Sequence, residues 1–191
     1  MLRSRVGFLA LHGGLERGTA ELATAAAEES GASLYRVVQP PDLRWHVPSS
    51  QFAPAESEAL DAFLDHVEVA ISLHGYGGLR TSDDRWTTVL VGGGNRPVAC
   101  ALAEQLRAAL PSYTWLDELD RIPVHLRGVH PKNPVNRPRL GGAQLELPPR
   151  ARGYGQFWSD WRGPGLPPHS TAIIATLADF AGMKLARDDI T

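Results

Sequence analysis

The chain has 191 residues, 43% of them hydrophobic and 21% charged, with a formal net charge of -2 at pH 7. That length is read as one domain, 1–191, with a sizeable core. Its slightly acidic balance excludes a general nucleic-acid or membrane-surface binder, which needs a field attractive to phosphate. A single cysteine, Cys100, excludes an intrachain disulfide and a cysteine-rich metal site.

The N-terminal MLRSRVGFLALHGG has only a short apolar run and no cleavage site. It reads as the first strand rather than a leader, which gives the expectation of a cytoplasmic protein. No stretch approaches the roughly 20 apolar residues of a membrane span. Residues 5–11 predict a buried strand and 19–30 an alanine-rich helix, with Thr19 as its cap and Gly31 as its stop. A second strand covers 33–38, and ESEALDAFLDHV predicts a helix after a proline-marked loop. Strands at 67–73 and 86–92 follow, then an amphipathic helix over 96–110, where Cys100 reads as a small buried hydrophobe. GAQLELP (142–148) alternates like a short strand, and a helix is expected from about Ser170 to Ala186. Strands alternating with helices predict an α/β, three-layer αβα fold with a mixed, largely parallel central sheet. The segment 128–141, GVHPKNPVNRPRLG, is too irregular and basic for core. Loops of that kind gather at the carboxyl ends of strands, where sites form.

His12 and His74 each follow a predicted strand and are trailed by glycine, in HGG and HGYGG. If the two strands are parallel neighbours, both imidazoles stand at one sheet edge. Two histidines, a carboxylate and an open fourth position make a hydrolytic zinc arrangement. Glu16 is the nearest carboxylate, with Glu21 in the first helical turn as a competitor, and either also suits the helix dipole there. His46, in WHVPSS, reads as a loop histidine. Between 121 and 152, Arg121, Arg127, Lys132, Arg137, Arg139, Arg150 and Arg152 face Glu146 alone. This is either a solvated basic face or a carboxylate-binding wall around one acid that transfers protons, arginine suiting a wall because its planar fork grips carboxylates in two bonds. A nucleic-acid patch would need interleaved aromatics, which the segment lacks. Asn136-Arg137, on a proline-stiffened loop, is the pair expected to touch substrate. Tyr154, in RGYGQFW, reads as structural. VGGGNRP (91–97) has neither the lysine-serine of a P-loop nor dinucleotide spacing, and no serine nucleophile elbow occurs.

Taken together, ALHGGLERGTAELA, AISLHGYGG and NPVNRPRLGGAQLELPPRAR resemble, in that order, the poly-γ-glutamate hydrolase family. The resemblance runs from about residue 7 to 152 and implies a zinc carboxypeptidase-like fold and a Zn2+-dependent amidase. It further implies His12, Glu16 and His74 as metal ligands and Glu146 as general base. Asn136 and Arg137 would hold a substrate carboxylate, with Arg137 or Arg127 beside the developing oxyanion. HGGLE is one residue shorter than the family's common HGGGIE-like form, so Glu21 stays the alternative ligand. The implied substrate is carboxylate-rich: poly-γ-glutamate, a γ-glutamyl peptide or a small N-acyl-glutamate. A non-catalytic carboxylate-binding domain is the reading from a different class. Nucleic-acid and membrane partners are not expected.

Overall fold

The computed structural model describes residues 1–77, 86–154, 162–163 and 166–188. In chain order the described strands and longer helices are β1 (Val6–Gly13), α1 (Thr19–Ser30), β2 (Ser33–Val38), α2 (Glu58–His66), β3 (Val69–Gly75), β4 (Thr88–Gly92), α3 (Arg96–Ala109), β5 (Thr114–Leu116), β6 (Gly142–Leu147) and α4 (Pro168–Asp188). Short 3-10 turns fill much of 49–56 and 119–136. The strands form one six-stranded sheet in the order β2-β1-β3-β6-β4-β5. β1, β2, β3 and β6 run parallel, while β4 lies antiparallel to β6 and carries β5 parallel to itself. The sheet is therefore mixed, as expected, with β5 a strand that the sequence reading did not anticipate.

Period-two alternation sorts the strand residues between the two faces. Val6, Phe8 and Ala10 of β1, Ile71 and Leu73 of β3, Val89 and Val91 of β4, and Leu145 and Leu147 of β6 face one side. They pack there against the buried stripes of α1, α3 and α4, for example Leu22, Leu102 and Leu177. On the other side Leu9 and Leu11 meet Leu60, Phe63 and Leu64 of α2, and Leu90 meets Leu116 and Ile122. Helices thus cover both faces. The second face is only partly closed by a helix, and beyond α2 it is covered by loops and 3-10 turns, which is where polar groups can be buried without a helix over them.

Local chemistry explains the element ends. α1 stops at Gly31, whose φ of 72° a side chain would strain. Its start differs from expectation: the cap residue is Gly18, and Thr19 instead turns its hydroxyl to the Glu16 carbonyl at 2.8 Å. Ser57 caps α2 by accepting the Leu60 N–H, and Asn95 caps α3 by accepting from Val98. β3 begins two residues later than predicted and contains His74 rather than ending before it. Cys100 is exposed, not buried. The buried stripe of α3 runs through Val98, Ala99, Leu102, Ala103 and Leu106, which leaves position 100 on the outer side. No helix among the described residues is long and apolar enough to cross a membrane.

Candidate active site

The partly closed face carries a buried polar stripe on two neighbouring parallel strands. Ser72 and His74 of β3 lie opposite Gln144 and Glu146 of β6 in register, and all four are buried. β1 is the other neighbour of β3, and its C-terminal end brings His12 alongside.

The HGGLE turn solves how Glu16 reaches the histidines. The N–H groups of Leu15 and Glu16 both return to the His12 carbonyl, at 3.1 and 2.7 Å, closing one tight turn on the histidine's own backbone. Gly14 makes this possible. Its φ is 85°, and a Cβ there would stand 2.4 Å from the Gln39 carbonyl oxygen. The four-residue step puts Glu16 Oε1 2.8 Å from His12 Nδ1. Glu16 Oε2 accepts the Gly75 N–H at 2.9 Å and lies 3.5 Å from His74 Nδ1. Glu21, the alternative ligand, is exposed on α1 and is outside this cluster.

The ring orientations are set from behind. His12 Nε2 is 2.8 Å from the Val47 carbonyl, and His74 Nε2 is 2.8 Å from the Ser72 hydroxyl. A carbonyl only accepts, so His12 Nε2 carries a proton, and in the neutral ring its Nδ1 presents a lone pair. The two Nδ1 atoms face each other at 3.2 Å with the Glu16 carboxylate beside them, within 2.8 Å of one and 3.5 Å of the other. Acceptors converging on acceptors repel unless a proton or a cation sits among them. Side-chain donors of His12, Glu16 and His74 all lie within 4.8 Å of one another, and they form a group that could hold a metal ion. Imidazole fixed by an oxygen on its far nitrogen is the usual form of a metal-ligating histidine. The residues present therefore fit a divalent cation.

Burial and charge act on these groups in opposite senses. Burial works to raise the Glu16 carboxyl, but hydrogen bonds and charge from His12 and His74 override it and hold Glu16 well below the usual carboxylate range. At His12 burial opposes protonation and contact with Glu16 outweighs it, whereas at His74 burial prevails. Glu146 is raised well above the carboxylate range, first by burial and then by the Glu16 charge, with Gln144 and Arg152 pulling the other way. Its Oε1 accepts the Gln144 amide at 2.8 Å, and Asn133 in turn donates to Gln144 Oε1 at 2.8 Å. This chain of amides fixes Glu146 from below.

The remaining predicted residues lie farther out. Arg127 is half-buried and its Nε donates to the Ile122 carbonyl at 2.9 Å. Asn136 spends its amide on the loop: Nδ2 donates to the carbonyls of Gly128 and His130 at 2.7 and 3.0 Å, and Oδ1 accepts the Gly94 N–H at 2.7 Å. Arg137 is exposed beside it. Replacing Asn136 with alanine is expected to destabilise the protein by about 2 kcal/mol, since three hydrogen bonds are lost and partly buried partners are orphaned. A melting temperature within 1–2 °C of wild type (about 0.5 kcal/mol or less) would contradict that bracing role.

Two residues stand closer than the sequence suggested. The exposed His46 ring lies 4.5 Å from the His12 ring, with Nε2 3.7 Å from Glu16 Oε1. Its segment is tied back by Gln39, whose side chain bonds both the N–H and the carbonyl of Trp45 at 3.2 and 2.6 Å. Arg152 is turned inward, donating to the carbonyls of Leu147, Arg17 and Tyr76 at 3.0, 2.5 and 3.4 Å. It rivets three loops around the cluster. Tyr154 lies under the Arg17 guanidinium, 4.1 Å from ring centre to Cζ.

Comparison with known proteins shows the family and the fold. A solved bacteriophage poly-gamma-glutamate hydrolase shares the fold, with a TM-score of 0.75 over 98% of this chain and 89% of that one, at 24% identity. A zinc-free apo form of YndL superposes with a TM-score of 0.73 over 96% and 86% of the two chains, at 28% identity. An N-acetylmuramoyl-L-alanine amidase from Clostridium difficile 630 shares the fold more distantly, at a TM-score of 0.51 and 10% identity over 96% of this chain and 98% of that one. The SPbeta prophage-derived protein YoqZ of Bacillus subtilis (strain 168) is 35% identical over 146 residues, 75% of this chain. The chain spans about half the length of that curated relative, 48%. The family model for poly-gamma-glutamate hydrolase matches residues 1–161, and the chain belongs to that family.

Proposed function

We propose that the protein is a zinc-dependent amide hydrolase that cleaves γ-glutamyl bonds in poly-γ-glutamate or γ-glutamyl peptides. The observation that carries this reading is the register of β3 and β6, which sets the buried Glu146 carboxyl beside the convergent His12, Glu16 and His74 donors. Family membership supports the same reading, as does the likeness to YndL, whose solved apo form is described as zinc-free.

His12 and His74 through Nδ1, and Glu16 through its carboxylate, would hold the ion. Zinc so bound supplies Lewis acidity and brings a water's pKa towards neutrality. Glu16 is suited to its part because it stays ionised, and His74 because burial keeps it neutral. Glu146 is the proton carrier. Its Oε1 is held by Gln144, and its second oxygen makes no hydrogen bond among the described residues. A carboxyl raised by burial takes a proton from the attacking water and returns it readily to the leaving nitrogen. Arg137 meets a free substrate carboxylate, and its fork favours a two-bond grip.

The test is direct. Purified protein is analysed for metal and incubated with poly-γ-glutamate while the polymer's length is followed. About one zinc per chain and shortening of the polymer, abolished by a chelator and restored by zinc, is the expected result. Failure to bind metal after zinc is supplied, or cleavage indifferent to chelation, overturns the proposal.

A further inference from the structure

The seven cations of 121–152 do not form one wall. Arg121 pairs with Glu118 at 3.4 Å and Arg139 with Glu68 at 3.0 Å. Arg127 is tied to Ile122, Arg150 lies 5.7 Å over the Tyr113 ring, and Arg152 is spent on inner carbonyls. Lys132 and Arg137 differ from these. Both are exposed, neither forms an ion pair among the described residues, and both line one cavity of about 700 Å³.

The same cavity is lined by the segment of 3-10 turns that includes Gln51, Phe52 and Pro54. Phe52 also sets the cavity's position, because its ring packs edge-on against the His12 ring at 5.8 Å between centroids. The cavity therefore begins one side chain from the metal-ligand cluster. Asp61 is the only acid among its described lining residues, against two cations. A volume of this size exceeds what one carboxylate needs and falls in the volume range of small-molecule sites, here as an open groove.

We propose that this cavity binds a second carboxylate-bearing unit of the substrate chain, and that Lys132 is the residue that makes the protein prefer oligomeric over minimal γ-glutamyl substrates. The inference rests on the γ-glutamyl reading given above. Arg137, with its planar fork, grips a carboxylate in one orientation. Lys132 is a point charge on a flexible stem and follows carboxylates whose position varies from unit to unit. Phe52 and Pro54 offer the apolar wall against which the methylenes between carboxylates can lie.

The experiment compares a γ-glutamate hexamer with γ-glutamylglutamate for wild type, Lys132→Ala and Lys132→Glu. The quantity read is the ratio of kcat/KM for hexamer to that for dipeptide, together with its dependence on salt. Lys132→Ala is expected to lower the ratio about 5-fold, carried by KM, and Lys132→Glu more. Added salt should lower the wild-type ratio and leave the Lys132→Ala ratio nearly flat. A ratio equal to wild type in both variants overturns the proposal. Binding of the same hexamer is measured by calorimetry in Glu146→Gln protein with and without Lys132→Ala. Equal affinity there also overturns it. If wild type cleaves neither substrate yet the hexamer binds through Lys132, the hydrolase reading fails while the cavity's ligand class stands.

Discussion

Glu146→Gln is expected to lower turnover of a γ-glutamyl substrate by about 10²–10⁴-fold in kcat and at the same time to raise the melting temperature near pH 7. Both effects come from one environment. Glutamine keeps the shape and still accepts the Gln144 amide that now meets Glu146 Oε1 at 2.8 Å, but it cannot take a proton from water. It also never carries the buried charge. Burial, followed by the Glu16 charge, raises the Glu146 carboxyl well above its ordinary 4.5. A group raised on folding contributes stability that is fully present below the unfolded pKa and is lost as pH rises through the folded one. In metal-free protein the wild type should therefore lose stability relative to Glu146→Gln as pH climbs above about 4.5, and the gap should be widest on the alkaline side. Thermal unfolding of both proteins from pH 4.5 to 8 checks the sign. A variant that is less stable at pH 7, or that retains turnover, would remove Glu146 from the role of buried proton carrier.

The second large effect is expected at His74. His74→Ala should leave the protein with almost no bound zinc and no measurable hydrolysis, while Ser72→Ala, which removes only the oxygen behind the ring, should weaken zinc binding by about 10–100-fold. The two substitutions separate a direct donor from the group that orients it. In wild type, zinc at 100 times its dissociation constant should add about 2.7 kcal/mol of stability, and this gain should vanish in His74→Ala. Competition against a chromophoric chelator, read alongside melting curves with and without zinc, measures both. Zinc affinity in His74→Ala equal to that of wild type would dissolve the proposed centre, since His12 and Glu16 alone would then suffice.

Much of the scaffold was legible because its signals are local. The alanine run and Gly31 mark α1, whose bounds of Thr19–Ser30 match the expected helix, and Asn95-Arg96-Pro97 marks the start of α3. The alternation in GAQLEL states that Gln144 and Glu146 share a face, and the paired strand-HG patterns put His12 and His74 at neighbouring strand ends. What could not be read depends on distant chain. β5 is three residues long and too short for a period, held by pairing to β4. His46 sits on an exposed loop, which the Gln39 clamp and the contact of Val47 with His12 bring to the cluster. Arg152 looked like one more cation in a basic stretch, yet the carbonyls that hold it come from positions 17, 76 and 147. The choice between a solvated basic face and a carboxylate-binding wall over 121–152 rested on composition alone. The cations of that stretch are dispersed: Arg121 pairs with Glu118 and Arg139 with Glu68, acids outside the stretch, while Arg152 turns inward.

The pairing of His74 with Glu146 across β3 and β6 also bears on how such a chain can change over generations. The spacing between these two groups is set by the backbone ladder, at the roughly 4.8 Å that separates adjacent strands, and not by any loop. Exposed rim residues such as Trp45 and Val124 can be exchanged without altering that distance. New preferences for what is bound can then be sampled at the rim while the reactive pair keeps its spacing, so descendants differing in appetite would be expected to share one chemical step.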